Sequence, residues 1–176
     1  EDHPDYAALR VANYIFGGAG LNSRLMERIR QKDGLSYGGG TGLSVDEYEP
    51  VARFSLSATA APQNLAKLEA AIKEELQKAL KDGFTAEELA KAKSGMLQQR
   101  VQGRTTDGAL AGGWNGNLEL GRTWAWSKAM DDKIAALTLE QVNAAFRRYI
   151  QPERISFFIA GDEAKAAAAA TAAPAK

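Results

Sequence analysis

The sequence predicts an α+β domain in which helices cover one face of a mainly antiparallel sheet. Three observations carry that reading. Ala52, Phe54, Leu56 and Ala58 alternate with Arg53, Ser55, Ser57 and Thr59, the period of a half-buried strand. Leu65, Leu68, Ile72, Leu76 and Leu80 recur at helical spacing. Two capping boxes, Thr85 with Glu88 and Thr138 with Gln141, mark the starts of further helices.

Along the chain, Ala8, Val11, Ala12 and Ile15 place a first helix over residues 5–16, which Gly17-Gly18-Ala19-Gly20 ends. Ser23 caps a second helix with Leu25, Met26 and Ile29 on its apolar side. Asp33-Gly34 supplies its left-handed stop, so Arg30 falls in the last turn. Residues 36–43 read as a glycine-laden strand, followed by the Asp46-Glu47 turn and the alternating strand from Ala52. The long helix of residues 62–81 stops at Asp82-Gly83, and the first capping box opens a helix bearing Leu89, Ala92 and Met96. Over residues 103–121, Leu110, Trp114 and Leu118 keep helical spacing. Gly108, Gly112, Gly113 and Gly116 each weaken a helix there by up to ~1 kcal/mol, which leaves helicity doubtful. A short helix over 124–135 and a last one carrying Val142, Phe146 and Tyr149 follow, ended by Pro152. A third strand is expected over 154–160. Three strands make a thin sheet, so residues 1–162 are expected to be a single domain lacking its first strands, and the alanine-rich residues 163–176 a disordered tail.

Charge narrows the partners. The chain has 22 basic and 22 acidic residues, so no net field draws it to nucleic acid or anionic lipid. The absence of cysteine removes disulfides and thiolate metal sites without choosing a compartment, and bacterial periplasm and cytoplasm both fit. His3 is the sole histidine and is expected in a frayed, solvated N-terminus, which leaves almost nothing for a zinc site. No apolar run reaches the ~20 residues of a membrane span. The glycines at 17–20 lack the Gly-Lys-Ser/Thr ending of a phosphate loop, and Trp114, Trp124 and Trp126 read as core or interface residues.

The stretch with chemistry is Arg30-Gln31-Lys32-Asp33-Gly34-Leu35-Ser36-Tyr37. It hangs a guanidinium on a helix end and a phenol on the following strand. The first can hold a peptide carbonyl and the second can stabilise an oxyanion. Taken alone, such an arginine also serves to complement a helix dipole, and such a tyrosine to pack.

Together with Phe16-Gly17-Gly18-Ala19-Gly20, Ser23-Arg24-Leu25 and Gly83-Phe84-Thr85-Ala86-Glu87-Glu88-Leu89, this run resembles the C-terminal half of pitrilysin/insulinase-type zinc metallopeptidases, which include mitochondrial processing peptidase. The resemblance extends through Leu137-Thr138 to Gly161. It implies a metal-free half that supplies Arg30 and Tyr37, in an Arg-x-Lys-x-x-Leu-x-Tyr context, to bind the substrate carbonyl and stabilise the oxyanion. An N-terminal homologous half or partner subunit would bring zinc on a His-x-x-Glu-His motif, and the two halves would close over a peptide substrate. This chain alone would then hold no cofactor and cleave nothing. The resemblance equally admits a catalytically inactive scaffold or assembly subunit of the same fold. Gly38-Gly39-Gly40 stands where β-favouring residues follow the tyrosine in that family, which bears on the aim of Tyr37.

Overall fold

Helices α1 (Tyr6–Asn13) and α7 (Leu139–Tyr149) pack together at the centre of the computed structural model, which describes residues 1–162. The predicted tail, 163–176, lies outside the described residues. Ala7, Ala8, Val11 and Ala12 of α1 are buried together with Val142, Ala145 and Phe146 of α7. The Phe146 ring stands 5.6 Å from that of Phe16 and 5.0 Å from that of Phe84, so three aromatic side chains fill one end of this core. Past Asn13 the helix widens into a π-helical turn, Tyr14–Gly18. Gly17 is needed there because a Cβ would come within 2.5 Å of the Thr41 side chain on the adjacent strand.

The predicted N-terminal fraying does not occur. Arg122 pairs with Glu1 at 2.7 Å, the Trp126 indole donates to Asp2 at 2.9 Å, and Arg148 pairs with Asp5 at 2.7 Å. These contacts dock residues 1–5 onto the last two helices.

Strands β1 (Ser36–Val45) and β2 (Ala52–Ala60) pair antiparallel from Val45 opposite Ala52 to Ser36 opposite Ala60. Phe54, Leu56 and Ala58 are half-buried while Arg53, Ser55, Ser57 and Thr59 face solvent, as the alternation predicts; Ala52, next to the turn, is exposed instead, and Ala60 continues the inner face. Leu56 packs against two clusters at once. One is the α1–α7 core; the other gathers Leu25, Met26 and Ile29 with Leu68, Ala71 and Ile72 of α3 (Leu65–Asp82). The hairpin therefore fastens the N-terminal helices to α3.

Helix α4 (Ala86–Gln102) opens on the predicted capping box, and α7 on the second. Residues 107–119, where glycine content makes helicity doubtful, are helical throughout as α5 (Asp107–Glu119). The Thr106 side chain caps its start by accepting from the Ala109 amide. The indole of Trp124, at the start of α6 (Trp124–Ala136), lies against Gly113, so tertiary contact offsets weak propensity. None of the α5 residues is buried, and Trp114 is exposed rather than part of a core.

The third strand expected over 154–160 does not form. Pro152–Arg154 is a 3-10 turn, and no backbone hydrogen bond joins the following residues to β2 among the described residues. The cause is spatial: the segment runs along β2 but a cavity separates them, so its β-favouring Ile155, Phe157, Phe158 and Ile159 have no ladder to join. The sheet of the described residues has two strands.

Arg24, in the short helix α2 (Arg24–Met26), ties these parts together. Its guanidinium donates to both carboxylate oxygens of Glu88, at 2.8 and 2.7 Å, and to the Gly83 carbonyl at 3.1 Å, and stacks over the Phe84 ring. Glu75, buried on α3, lies 3.9 Å away. Burial by itself would raise the Glu88 pKa, but the hydrogen bonds from Arg24 and from the Thr85 amide outweigh it and hold the carboxyl below its ordinary value. Asp131 likewise titrates low: burial is overcome by hydrogen bonds from Arg104 and Arg100. Carboxyls depressed in the folded state stabilise it above their unfolded pKa and lose that contribution as pH falls through the folded value. Glu88→Gln is expected to cost roughly 2 kcal/mol at pH 7 and distinctly less at pH 3.5, read from urea unfolding at the two pH values.

Candidate functional site

The site is built by the corner that joins the second helical segment to β1. Ser23 caps that segment by accepting from the Met26 amide, and Leu25, Met26 and Ile29 are fully buried beneath it. From Glu27 to Lys32 the helix is π-helical, and Arg30 projects from this widened turn, only partly buried. Gly34 then turns the chain with φ +60°, a left-handed conformation that glycine adopts without strain. The Leu35 amide donates back to the Ile29 carbonyl at 2.8 Å and fixes the angle between helix and strand.

Tyr37 owes its position to a β-bulge. Ser36 faces Ala60 and Gly38 faces Thr59, so Tyr37 is the extra residue with no partner on β2. The buried Ser36 hydroxyl lies 2.8 Å from the Gly38 carbonyl and 2.7 Å from the Thr59 carbonyl, tying the two ends of the bulge together. Tyr37 is thrown outward to 86% exposure, and Arg30 lies over its ring at 5.1 Å from the centroid. The two residues picked out by the sequence are thus adjacent and open to solvent. The glycines after Tyr37 do not break β1, and its irregularity is confined to the bulge.

Arg30 differs from the basic residues around it. Arg28 pairs with Asp33 at 2.7 Å and with Glu74 at 3.0 Å, Lys32 with Glu27 at 3.0 Å, and Arg24 with Glu88. Among the described residues Arg30 has no ion pair and no hydrogen-bond acceptor, so its donors remain available to a carbonyl or carboxylate. The Tyr37 hydroxyl is equally unengaged among the described residues. Neither device that places these groups, the π-helical turn or the bulge, follows from the local residue pattern. The run of glycines after Tyr37 was the one signal for the second.

The described residues offer no set of side chains that fits zinc. Among the described residues no three His, Asp or Glu side chains converge, and His3 is engaged at the N-terminus, where its Nδ1 accepts from the Asp5 amide at 3.1 Å. No described helix is long and apolar enough to cross a membrane. A hollow of about 330 Å³ beside β1 is bordered by Arg10, Asn13 and Arg100. Arg100 is spent there on Asp131 and the Ser127 carbonyl.

Comparison with known proteins returns the same α+β fold and places the chain in a family. Residues 1–96, more than half of the chain, match the family model of the peptidase M16 inactive domain, and the chain belongs to that family. It is 26% identical over 165 residues to a non-peptidase homolog, YmxG, of Helicobacter pylori, covering 92% of this chain and 37% of that protein. A peptidase M16 inactive domain from Pseudomonas fluorescens superposes with a TM-score of 0.75 at 25% identity, over 85% of this chain and 35% of that one. The inactive peptidase domain of a candidate zinc protease from Bordetella parapertussis shares the fold, with a TM-score of 0.71 at 19% identity, covering 86% and 81% of the two chains. The chain therefore spans little more than a third of the length of the first two.

If the corner is held as described, Ser36→Ala and Gly34→Ala are each expected to lower stability by about 1–2 kcal/mol in urea unfolding. Ser36→Ala is also expected to speed amide exchange at Gly38, and unchanged exchange there would contradict the role given to its hydroxyl.

Proposed function

We propose that this chain is the metal-free, C-terminal half of a zinc metallopeptidase of the pitrilysin type, enclosing a peptide that the other half cuts. The single observation that carries this reading is the pairing of an uncommitted guanidinium with an exposed phenol on one rigid corner. Arg30 offers planar donors to a backbone carbonyl and holds the peptide in place. The Tyr37 hydroxyl donates to the same oxygen as it gains negative charge on becoming tetrahedral, an interaction stronger in the transition state than in the ground state. The zinc site belongs to the other, homologous half or partner subunit, and no step of the hydrolysis uses a metal ligand of this chain.

A second reading has its own support: the H. pylori relative is named a non-peptidase homolog. On that reading the chain is a catalytically inactive scaffold of the same fold, and the corner serves subunit assembly. The two separate on upstream or neighbouring sequence, where an intact His-x-x-Glu-His favours the peptidase.

In the complete enzyme, Arg30→Ala and Tyr37→Phe are each expected to lower kcat/KM at least a hundredfold with zinc content unchanged, which corresponds to roughly 2.7 kcal/mol of lost transition-state stabilisation. Turnover near that of the parent enzyme would remove both residues from the mechanism. Purified residues 1–176 are expected to take up no stoichiometric zinc by metal analysis and to leave unfolded peptides uncut.

A further inference from the structure

The hollow of about 330 Å³ beside β1 lies between α1, the π-helical turn that follows it, and the C-terminal turns of α4. Its polar lining is rich in donors: Arg10 and Asn13 come from α1, and Gln99 and Arg100 from α4. Arg10 pairs with no carboxylate among the described residues; its guanidinium lies over the Tyr6 ring, 5.6 Å from the centroid. Arg100 and Arg104 share the one carboxylate of Asp131, so this end of α4 keeps a surplus of positive charge. The Gln99 side chain stands in solvent with nothing bonded to it among the described residues. Leu43 and the buried Met96 add an apolar flank. Asn13 supplies a second, independent observation. Its Oδ1 is buried and accepts from no donor, alone in this among the buried side-chain polar atoms of the described residues. Such an acceptor is unfavourable until a donor reaches it, and the chain itself offers none.

We propose that this hollow binds a carboxylate whose neighbouring carbon carries an N–H, the end group shared by a free amino acid and the C-terminus of a peptide. Arg10 takes the carboxylate in its planar fork, and the surplus charge around Arg100 draws it in. The N–H satisfies Asn13. The torsion that orients an asparagine amide is soft, and Gly18 leaves it room, since a Cβ there would come within 2.8 Å of Asn13 Nδ2. Turning the amide about that torsion brings its oxygen to the Gly18 side, where the hollow lies. An anion with acceptors only would leave Asn13 as it is. The Leu43–Met96 flank selects an apolar side chain on the same carbon, and the volume is that of a small-ligand pocket. The hollow shares no residue with the Arg30–Tyr37 corner, so the proposal stands apart from the peptidase reading.

The test is a titration of residues 1–176 followed through amide NMR shifts. N-acetyl-leucine stands for the peptide end and leucine for the free amino acid; isocaproate lacks the N–H, and N-acetyl-leucinamide lacks the carboxylate. Shifts are expected to centre on residues 10–18, 41–43 and 96–100, and loss of either group is expected to weaken binding roughly tenfold. The tighter of N-acetyl-leucine and leucine identifies the natural source. Asn13→Leu, close in shape, is expected to abolish the preference for N-acetyl-leucine over isocaproate, and Arg10→Gln to weaken both. Gln99→Glu, at an exposed position, sets a negative charge on the rim and is expected to weaken every carboxylate, whether or not the other two variants keep their fold. No shifts in the hollow up to the solubility limit of N-acetyl-leucine and of leucine would overturn the proposal. So would isocaproate or inorganic phosphate binding as tightly as N-acetyl-leucine, or affinities unchanged by Gln99→Glu.

Discussion

The buried face of Arg24 is the contact on which the rest of this domain hangs. Its guanidinium joins the start of the second helical segment to the capping box of α4, to the carbonyl that ends α3 and to the Phe84 ring. A single planar fork can satisfy so many partners because its donors diverge at fixed angles, which a lysine ammonium cannot reproduce. Everything downstream inherits its position from this tie: the helical segment that carries Arg30, the Gly34 turn and the entry into β1. The low pKa of Glu88 expresses the same dependence, since a carboxylate whose charge is stabilised by Arg24 in turn keeps Arg24 in place.

Where sequence and structure agree, the agreement has a local cause. The alternation of Phe54, Leu56 and Ala58 and the capping boxes at Thr85 and Thr138 were legible because each depends on residues within a few positions of one another. Disagreements arise where distant contacts decide. α5 forms despite its glycines because Thr106 caps it and Trp124 lies along it. Ile155 to Ile159 have the composition of a strand, but pairing needs a neighbour within hydrogen-bond reach, and β2 is held away across the cavity. Docking of residues 1–5 depends on Arg122, Trp126 and Arg148, more than a hundred positions along the chain, which no local pattern could announce.

The candidate site divides in the same way. That Arg30 ends a helix and Tyr37 begins a strand could be read from Asp33-Gly34 between them. That the tyrosine would be expelled from the ladder could not, because the bulge is defined by register against β2 and secured by Ser36 bonding to Thr59, twenty-three residues on. The π-helical turn under Arg30 escaped for a related reason: apolar spacing places Leu25, Met26 and Ile29 inward but does not separate one helical winding from another over so few residues.

The bulge at Tyr37 separates what the domain needs for folding from what it presents to solvent. A phenol that stands outside the ladder, and is held there by a neighbour's hydroxyl, adds little to the packing that keeps the chain folded. Selection can therefore erode the side chain at this position, or exchange it, while the scaffold survives intact.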